Sequence, residues 1–192
     1  MGKLVVTEFV TLDGVFQDPG GTGEFDRGGW AFQFDQGDDG AKFKFDELLA
    51  SDAQLLGRVT YEGFAKAWPT MEGTGEFGEK MNAMPKFVVS TTLKDLDWSN
   101  STLIKKNVAS ELAKLKQESG GDLIVFGSMS LVNKLIQKDL IDEYRLLVYP
   151  VVLGAGKRLF DERSQTKVLL KLTATKSLGS DVALLTYTRA GV

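Results

Sequence analysis

The stretch that decides the fold is residues 55–62, Leu-Leu-Gly-Arg-Val-Thr-Tyr-Glu, where an apolar strand ends in a turn and a helix begins. Gly57 leaves the backbone N–H groups of the turn uncovered, and Arg58 and Thr60 add a guanidinium group and a hydroxyl group. Free N–H groups at a helix N-terminus, together with a guanidinium, suit a phosphate-bearing cofactor. The alternative is an ordinary strand–turn–helix junction with a surface arginine, and this stretch alone does not distinguish the two.

Two further strand ends carry the same kinds of residue. The predicted third strand ends in Ser90, Thr91 and Thr92, and the predicted fifth strand ends in Gly127 and Ser128. Small residues and hydroxyl groups let phosphate and ribose approach the backbone closely. Turn formation and helix capping are the simpler explanations for each end taken alone. Three such ends on one sheet edge favour a bound dinucleotide.

The order of the predicted elements is typical of an α/β protein. Apolar strands are predicted at residues 4–12, 53–56, 85–90, 102–104, 122–126 and 143–148, and a C-terminal antiparallel hairpin at 168–175 and 182–188. Helices are predicted at 41–50, at 61–67, after a cap at Ser110 and after Ser128, while residues 66–84 are predicted to be a glycine-rich connection. Strands separated by helices indicate a mixed, mostly parallel sheet with helices on both faces. Ligands in such sheets bind beyond the carboxyl ends of the strands.

The segment from 17 to 40 is rich in glycine and aspartate but also contains four large aromatic residues. They are Phe25, Trp30, Phe32 and Phe34. A loop of this length is seldom a passive connection, and binding residues often lie on loops. We therefore expect it to fold onto the protein as a cover on the substrate side, the alternative being a floppy insertion.

Composition restricts the class of protein. The 192 residues are 43% hydrophobic and 26% charged, which is typical of one soluble globular domain covering residues 1–192. A net charge of −3 opposes binding to nucleic acid or to an anionic membrane. No apolar run approaches the roughly 20 residues of a membrane span, and no signal-peptide pattern is present. These features predict a cytoplasmic protein.

The chain contains no histidine and no cysteine. A Ser-His-Asp triad, a cysteine nucleophile and imidazole or thiolate metal ligands are therefore excluded, and no metal site is predicted. Any acid or base must be a carboxylate, a tyrosine, a lysine or water. The sequence has neither a P-loop motif nor a Gly-x-Gly-x-x-Gly fingerprint after a strand.

At this point the order of motifs resembles the dihydrofolate-reductase-like fold. Within it the chain is most similar, over nearly its whole length, to the bacterial RibD C-terminal domain, the reductase domain of riboflavin biosynthesis. The residues that carry the resemblance are 11–14 (TLDG), 28–30 (GGW), 56–64 (LGRVTYEGF), 86–90 (KFVVS), 125–128 (VFGS) and 150–160 (PVVLGAGKRLF). It implies a three-layer α/β fold and an NADPH-dependent reductase, similar to 5-amino-6-(5-phosphoribosylamino)uracil reductase, that transfers a hydride to a pyrimidine- or pterin-like heterocycle or a related C=N or C=O substrate.

The resemblance also implies roles for individual residues. The implied cofactor-binding residues are Gly57, Arg58, Thr60, Ser90, Thr91, Thr92, Gly127, Ser128 and Met129. A carboxylate, Asp13 or Asp35, or a water that it orders, would supply the proton. The candidate substrate-binding residues are Gly14, Trp30, Phe32, Tyr61 and Phe126. For Asp13 the alternative is an Asp-Gly turn, and for Asp35 it is a solvated loop carboxylate.

Two further expectations follow from the same family. Related domains often pair, so a homodimer is expected through the C-terminal hairpin with Leu169, Leu184 and Leu185. Phe126 stands where the riboflavin reductases have a glutamate that helps to bind the pyrimidine. This departure leaves open a binding module without turnover, and dihydrofolate reductase activity is a further alternative.

Overall fold

The computed structural model describes residues 1–23, 25–160 and 167–190. The strands are β1 (Leu4–Thr11), β2 (Ser51–Gly57), β3 (Lys86–Val89), β4 (Ser101–Ile104), β5 (Asp122–Val125), β6 (Glu143–Tyr149), β7 (Leu170–Leu178) and β8 (Val182–Arg189). The helices are α1 (Gly37–Leu49), α2 (Arg58–Ala67), α3 (Gly75–Ala83), α4 (Val108–Glu118) and α5 (Met129–Gln137), with a short 3-10 helix at Trp30–Gln33.

All of these strands form one eight-stranded sheet in the order β4-β3-β2-β5-β1-β6-β8-β7. The first six strands in this order are parallel, and β8 pairs antiparallel with both β6 and β7. The carboxyl ends of the parallel strands therefore lie on one edge of the sheet, which we call the carboxyl edge. The predicted mostly parallel sheet with a C-terminal antiparallel hairpin is confirmed.

Neighbouring residues of the central strands point to opposite faces, and each face has its own core. On β2, Leu55 packs in a core with Leu112 of α4 and Leu135 of α5, whereas Leu56 packs with Met81 of α3 on the other face. Strands that are buried on both faces have near-continuous apolar sequences, as in β5. The three layers that this arrangement creates confirm the predicted α/β class.

The structure corrects one predicted connection and two predicted helix starts. Residues 66–84, expected to be a connection, contain α3, whose Met81 is 1% exposed. Helix α4 begins at Val108, and the Ser110 hydroxyl donates to the carbonyl of Asn107, so Ser110 does not cap it. Helix α1 begins at Gly37, four residues before the predicted start. In α1 and α3 the glycines conceal the helical pattern, since glycine is a poor helix former.

The segment from 17 to 40 packs onto the protein, as predicted, but not with all four aromatic residues. Trp30 is 1% exposed, and the centroid of its ring lies 5.3 Å from that of the Tyr149 ring. Its indole N–H donates to the carbonyl of Gln17. Phe34 lies against the same tyrosine at 6.1 Å. Phe32, in contrast, is 79% exposed. The segment therefore covers the sheet near the end of β6, and its role as a substrate cover remains a prediction.

Candidate functional site at the carboxyl edge

The carboxyl ends of β2 and β5 approach each other unusually closely. A Cβ atom placed on Gly57 would lie 2.1 Å from the Ser128 hydroxyl oxygen and 3.1 Å from the Ser128 backbone nitrogen, so a larger residue would force Ser128 to shift. Gly127 has a φ of +91°, and the peptide bond between Gly127 and Ser128 is cis. The Gly57 N–H donates to the Gly127 carbonyl at 3.3 Å. This contact brings the starts of α2 and α5 together.

Neither of these two helix starts is capped by a side chain. Gly57 is the N-cap of α2 and Ser128 is the N-cap of α5, and neither helix has a side-chain hydrogen bond at its N-cap. The Ser128 hydroxyl instead lies 3.4 Å from the Ser130 hydroxyl. The first N–H groups of a helix need an acceptor, and the helix dipole makes that end electropositive. The first N–H groups of two adjacent helix starts are therefore a candidate site for an anion.

Arg58 and Thr60 extend this electropositive edge. Arg58 is exposed, and its guanidinium donates to Glu62 at 2.8 Å within the same helix. An exposed pair of this kind is weak, so the guanidinium can exchange Glu62 for a ligand anion. The Thr60 hydroxyl lies 3.1 Å from the position a Cβ of Gly127 would occupy. The structure thus brings together Gly57, Arg58, Thr60, Gly127 and Ser128.

Met129, the first residue of α5, is half-buried beside this group. Ser90, at the end of the adjacent β3, is buried, and its hydroxyl accepts the N–H groups of Thr92 and Leu93, both at 3.1 Å. That pattern is a serine turn, which was the simpler explanation of this strand end. Thr91 and Thr92 are exposed beside it. Contact of these three residues with a cofactor remains a prediction.

Asp13 and Gly14 form the turn after β1. The Asp13 carboxylate accepts the Thr11 hydroxyl at 2.6 Å and the N–H groups of Leu153 at 3.2 Å and Gly154 at 2.8 Å. Burial opposes ionisation of Asp13, but these hydrogen bonds outweigh it and lower the pKa of the carboxyl group. Asp13 therefore holds the segment after β6 as a carboxylate, which is a poor state for the predicted proton donor. Gly14 has a φ of +76° and open space around it.

The structure gives Asp35, Trp30 and Tyr61 local or packing roles. Asp35 is exposed, and its carboxylate accepts the N–H of Gly37 at 2.7 Å. Tyr61 is 3% exposed, and its hydroxyl oxygen accepts the N–H of Trp98 at 3.0 Å. Trp30 lies in the core already described. These contacts give no support to the predicted proton donor Asp35 or to a ring-binding wall formed by Trp30 and Tyr61.

Phe126 and Lys44 form a second feature beside the edge. The Lys44 ammonium lies 5.1 Å from the centroid of the Phe126 ring and 5.7 Å from that of Phe9. It also donates to the Thr7 hydroxyl at 3.0 Å and to the buried Glu47 carboxylate. The Phe126 ring therefore already makes a cation–π contact with Lys44.

Sequence reasoning missed an acidic residue that lies beside Gly127. Glu8 lies on β1, is 9% exposed, and its Oε1 atom has no hydrogen-bond partner. That oxygen is 3.7 Å from the Cβ position of Gly127. A charged residue inside the otherwise apolar run of a central strand is the pattern that could have identified it.

A metal-binding cluster and a membrane-spanning helix are both absent from the residues that the structure describes. No group of three or more His, Cys, Asp or Glu residues there could hold a metal ion. No helix there combines the length and the apolar character of a membrane span.

Comparisons with known proteins identify the family. Residues 2–184 match the RibD C-terminal domain. The uncharacterized protein YyaP of Bacillus subtilis (strain 168) is 31% identical over 188 residues, covering 96% of this chain and 94% of that protein. The uncharacterized protein YwjB of the same organism is 32% identical over 190 residues, covering 98% of each.

Solved structures show the same fold at lower identity. A candidate riboflavin biosynthesis protein from Shewanella sp. PV-4 superposes with a TM-score of 0.77 at 20% identity, covering 98% of this chain and 99% of that one. A pyrimidine reductase-like protein from Corynebacterium diphtheriae gives a TM-score of 0.62 at 10% identity, covering 100% and 93%. The predicted fold and family are both confirmed, and the chain belongs to the family of the RibD C-terminal domain.

Proposed function

We propose that the protein is an NADPH-dependent reductase that acts on a C=N or C=O bond of a pyrimidine- or pterin-like heterocycle. The observation that carries the proposal is the pair of uncapped helix starts held together by Gly57 and Gly127. A dinucleotide presents two linked phosphates, and two adjacent N-termini without side-chain caps can bind both. The family assignment and the pyrimidine reductase-like structural relative support the same reaction class.

The residues present at the carboxyl edge fit such a cofactor. Gly57 and Gly127 allow the starts of α2 and α5 to approach each other closely, and Thr60 and Ser128 add hydroxyl groups. Arg58 supplies a guanidinium for a further phosphate, such as the one that distinguishes NADPH from NADH. NADPH, when bound, supplies the hydride, and the chain supplies its position and orientation.

A nucleotide titration tests the proposal. We expect NADPH to bind the wild type by isothermal titration calorimetry at pH 7. In Arg58→Ala we expect NADPH affinity to fall about ten- to hundredfold, because a charge-assisted hydrogen bond contributes about 1.5–3 kcal/mol. NADH affinity should change much less. Lys114→Ala is the matched control, since it also removes an exposed ion pair within one helix, at 3.4 Å to Glu111.

Two results would contradict the proposal or part of it. Absence of binding by either nucleotide would overturn the reductase assignment. Equal losses of NADPH and NADH in Arg58→Ala would move Arg58 from the phosphate specific to NADPH to the shared pyrophosphate. Once binding is established, NADPH oxidation is measured with 5-amino-6-(5-phosphoribosylamino)uracil, 7,8-dihydrofolate and other heterocycles.

A nucleotide- or small-molecule-binding module without turnover is the second candidate function. Two points favour it: the Asp13 carboxylate already accepts three hydrogen bonds, and the family resemblance places Phe126 where the riboflavin reductases have a substrate-binding glutamate. NADPH binding without oxidation across the substrate panel would select this function.

A homodimer through the C-terminal hairpin also remains a proposal. Leu169 is 64% exposed and β7 is the edge strand of the sheet, whereas Leu184 is only 6% exposed and belongs to the core. Leu185 is half-buried. Leu169 is therefore the member of the predicted set that is best placed to contact a second copy.

A further inference from the structure

Glu8 is an acidic side chain in the middle of the sheet with no partner for its Oε1 atom. It lies on β1, between β5 and β6, and is only 9% exposed. Buried polar atoms are almost always hydrogen-bonded, so an unpaired carboxyl oxygen at this depth requires an explanation. A bound ligand is one source of the missing partner.

The surroundings of Glu8 place it in the proposed cofactor site. Its Oε1 lies 3.7 Å from the Cβ position of Gly127, and the Thr60 hydroxyl lies 3.1 Å from the same point. Glu8 and Thr60 therefore both lie beside Gly127 at the carboxyl edge. Gly127 directly precedes Ser128, the N-cap of α5, where a phosphate-bearing ligand is expected.

The charged groups near Glu8 do not satisfy it. The residue paired with Glu8 on the neighbouring strand β6 is the apolar Leu146. Gly127 and Thr60, which lie nearby, carry no charge. From α1, Lys44 and Glu47 act on Glu8 in opposite directions, and Lys44 already donates to Glu47 and to the Thr7 hydroxyl. Burial raises the pKa of Glu8 to about 8. At neutral pH the side chain is mostly a neutral carboxyl group, which can donate a hydrogen bond.

We propose that Glu8 is a further ligand-binding residue of the carboxyl edge, whose carboxyl O–H donates a hydrogen bond to the bound dinucleotide. The inference rests on the proposed function, because the ligand is the nucleotide assigned there. A carboxylate at this position would face the phosphates of the ligand at close range, and like charges in a poorly solvated site repel strongly. Binding is therefore coupled to protonation of Glu8.

The coupling gives a distinct pH dependence. Above the pKa of Glu8 in the free protein, binding requires the uptake of a proton, so NADPH affinity should fall by up to tenfold per pH unit. In Glu8→Gln the amide N–H donates in place of the carboxyl O–H and does not titrate. That variant should bind NADPH within about threefold of the wild-type affinity at pH 7 and should lose the pH dependence. Glu118→Gln, on the exposed end of α4, is the control and should follow the wild type.

The experiment is calorimetric titration of NADPH between pH 7 and pH 9.5, with proton uptake measured in two buffers of different ionisation enthalpy. We expect the wild type to take up close to one proton at pH 9 and Glu8→Gln to take up almost none. If Glu8→Gln does not fold, the wild-type affinity profile and proton uptake still decide the question. A wild-type affinity that does not fall with pH, or unchanged proton uptake in Glu8→Gln, would overturn this role of Glu8.

A measurement without ligand separates this inference from the proposed function. In the free protein at pH 7, we expect the infrared carbonyl band of a buried protonated carboxyl group, which Glu8→Gln should lose. Absence of the band in the wild type would overturn the role of Glu8 alone. Absence of NADPH binding at pH 7 would overturn the proposed function and this inference together, whereas binding at pH 9 without proton uptake would overturn only the inference.

Discussion

Lys86 and Glu8 are both buried ionisable residues, at the start of β3 and in the middle of β1, and they differ in their hydrogen bonds. Lys86 begins β3 and is fully buried, and its ammonium donates to the carbonyls of Asn82 at 2.7 Å, Met84 at 2.8 Å and Ser99 at 3.1 Å. Burial lowers the pKa of Lys86 to about 8, as it raises that of Glu8 to about 8. Yet every proton of the Lys86 ammonium has an acceptor, and Oε1 of Glu8 has no partner.

The difference separates a structural role from a functional one. The lysine joins the end of α3 to the chain before β4 and also lies 4.3 Å from the Trp98 ring centroid. A fully satisfied buried network of this kind makes one conformation rigid. The glutamate lies beside two uncapped helix starts, where, in our proposal, a ligand supplies the missing partner. On this proposal the amino edge of the sheet, where the parallel strands begin, serves stability and the carboxyl edge serves binding.

Replacement of Lys86 should give the largest effect on stability. In Lys86→Met, three carbonyl acceptors lose their buried donor, so we expect the free energy of unfolding to fall by about 3–5 kcal/mol. Urea denaturation at pH 7 measures the change. The exposed Lys94 provides the control, because Lys94→Met should stay within about 0.5 kcal/mol of the wild type.

This variant also tests the separation of the two edges. At temperatures where Lys86→Met is folded, NADPH affinity should equal that of the wild type. A selective loss of affinity in the folded variant would join the two edges into one functional unit and contradict the comparison.

Gly57→Ala should give the next largest effect, because the new methyl group would lie 2.1 Å from the Ser128 hydroxyl oxygen. We expect a loss of about 1–3 kcal/mol in the free energy of unfolding, with NADPH binding strongly weakened as the two helix starts move apart. Gly63→Ala is a matched control on the same helix, since a Cβ atom there would meet nothing within 4 Å.

The control variant should gain about 0.5–1 kcal/mol, because alanine favours a helix over glycine. Both values follow from urea denaturation, with NADPH affinity measured in parallel. Unchanged NADPH binding in a folded Gly57→Ala variant would argue against the two helix starts as the binding edge.

The pH dependence of unfolding tests the state of Glu8 without any ligand. The folded protein holds a proton on Glu8 up to about pH 8, whereas the unfolded chain releases it near the ordinary value of 4.5. Raising the pH from about 4.5 to 8 therefore destabilises the wild type, by up to about 1.4 kcal/mol per pH unit from this group. Glu8→Gln lacks the effect, so its stability relative to the wild type should rise across this window. Parallel curves for the two proteins would refute a protonated Glu8.

Glu62→Gln should give the smallest effect. The exposed ion pair between Arg58 and Glu62 contributes about 0.2–1 kcal/mol, so the free energy of unfolding should hardly change. Release of the guanidinium and loss of a nearby negative charge should strengthen NADPH binding about two- to fivefold, measured by calorimetry. Weaker binding would show that Glu62 positions Arg58 for the ligand.

The parts of this architecture that the sequence could predict are those that depend on local pattern. Gly57, Arg58 and Thr60 follow a strand and open a helix, and that order alone placed them at the carboxyl edge. Gly127 and Ser128 were found in the same way. Their mutual contact could not be predicted, because it depends on the sheet order that places β5 beside β2.

Burial was predicted less well, because the same residue type serves in a core and in a binding wall. Tyr61 and Trp30 were predicted to face a ligand and instead complete apolar clusters. The neighbours of Glu8 along β1 are mostly apolar, so the local pattern predicts a buried strand and does not single out its one acidic residue. A charged residue in a central strand marks a site only when the structure shows that its partner is missing.

The central claim is that a nucleotide binds at the carboxyl edge and leaves the amino edge untouched. Titration of the 15N-labelled protein with NADPH, followed by amide chemical shifts, tests it most directly. We expect the largest shifts at the amides of Arg58, Val59, Thr60, Met129 and Ser130, and none around Lys86 and Asn100. Absence of shifts, or shifts centred on the amino edge, would contradict the claim.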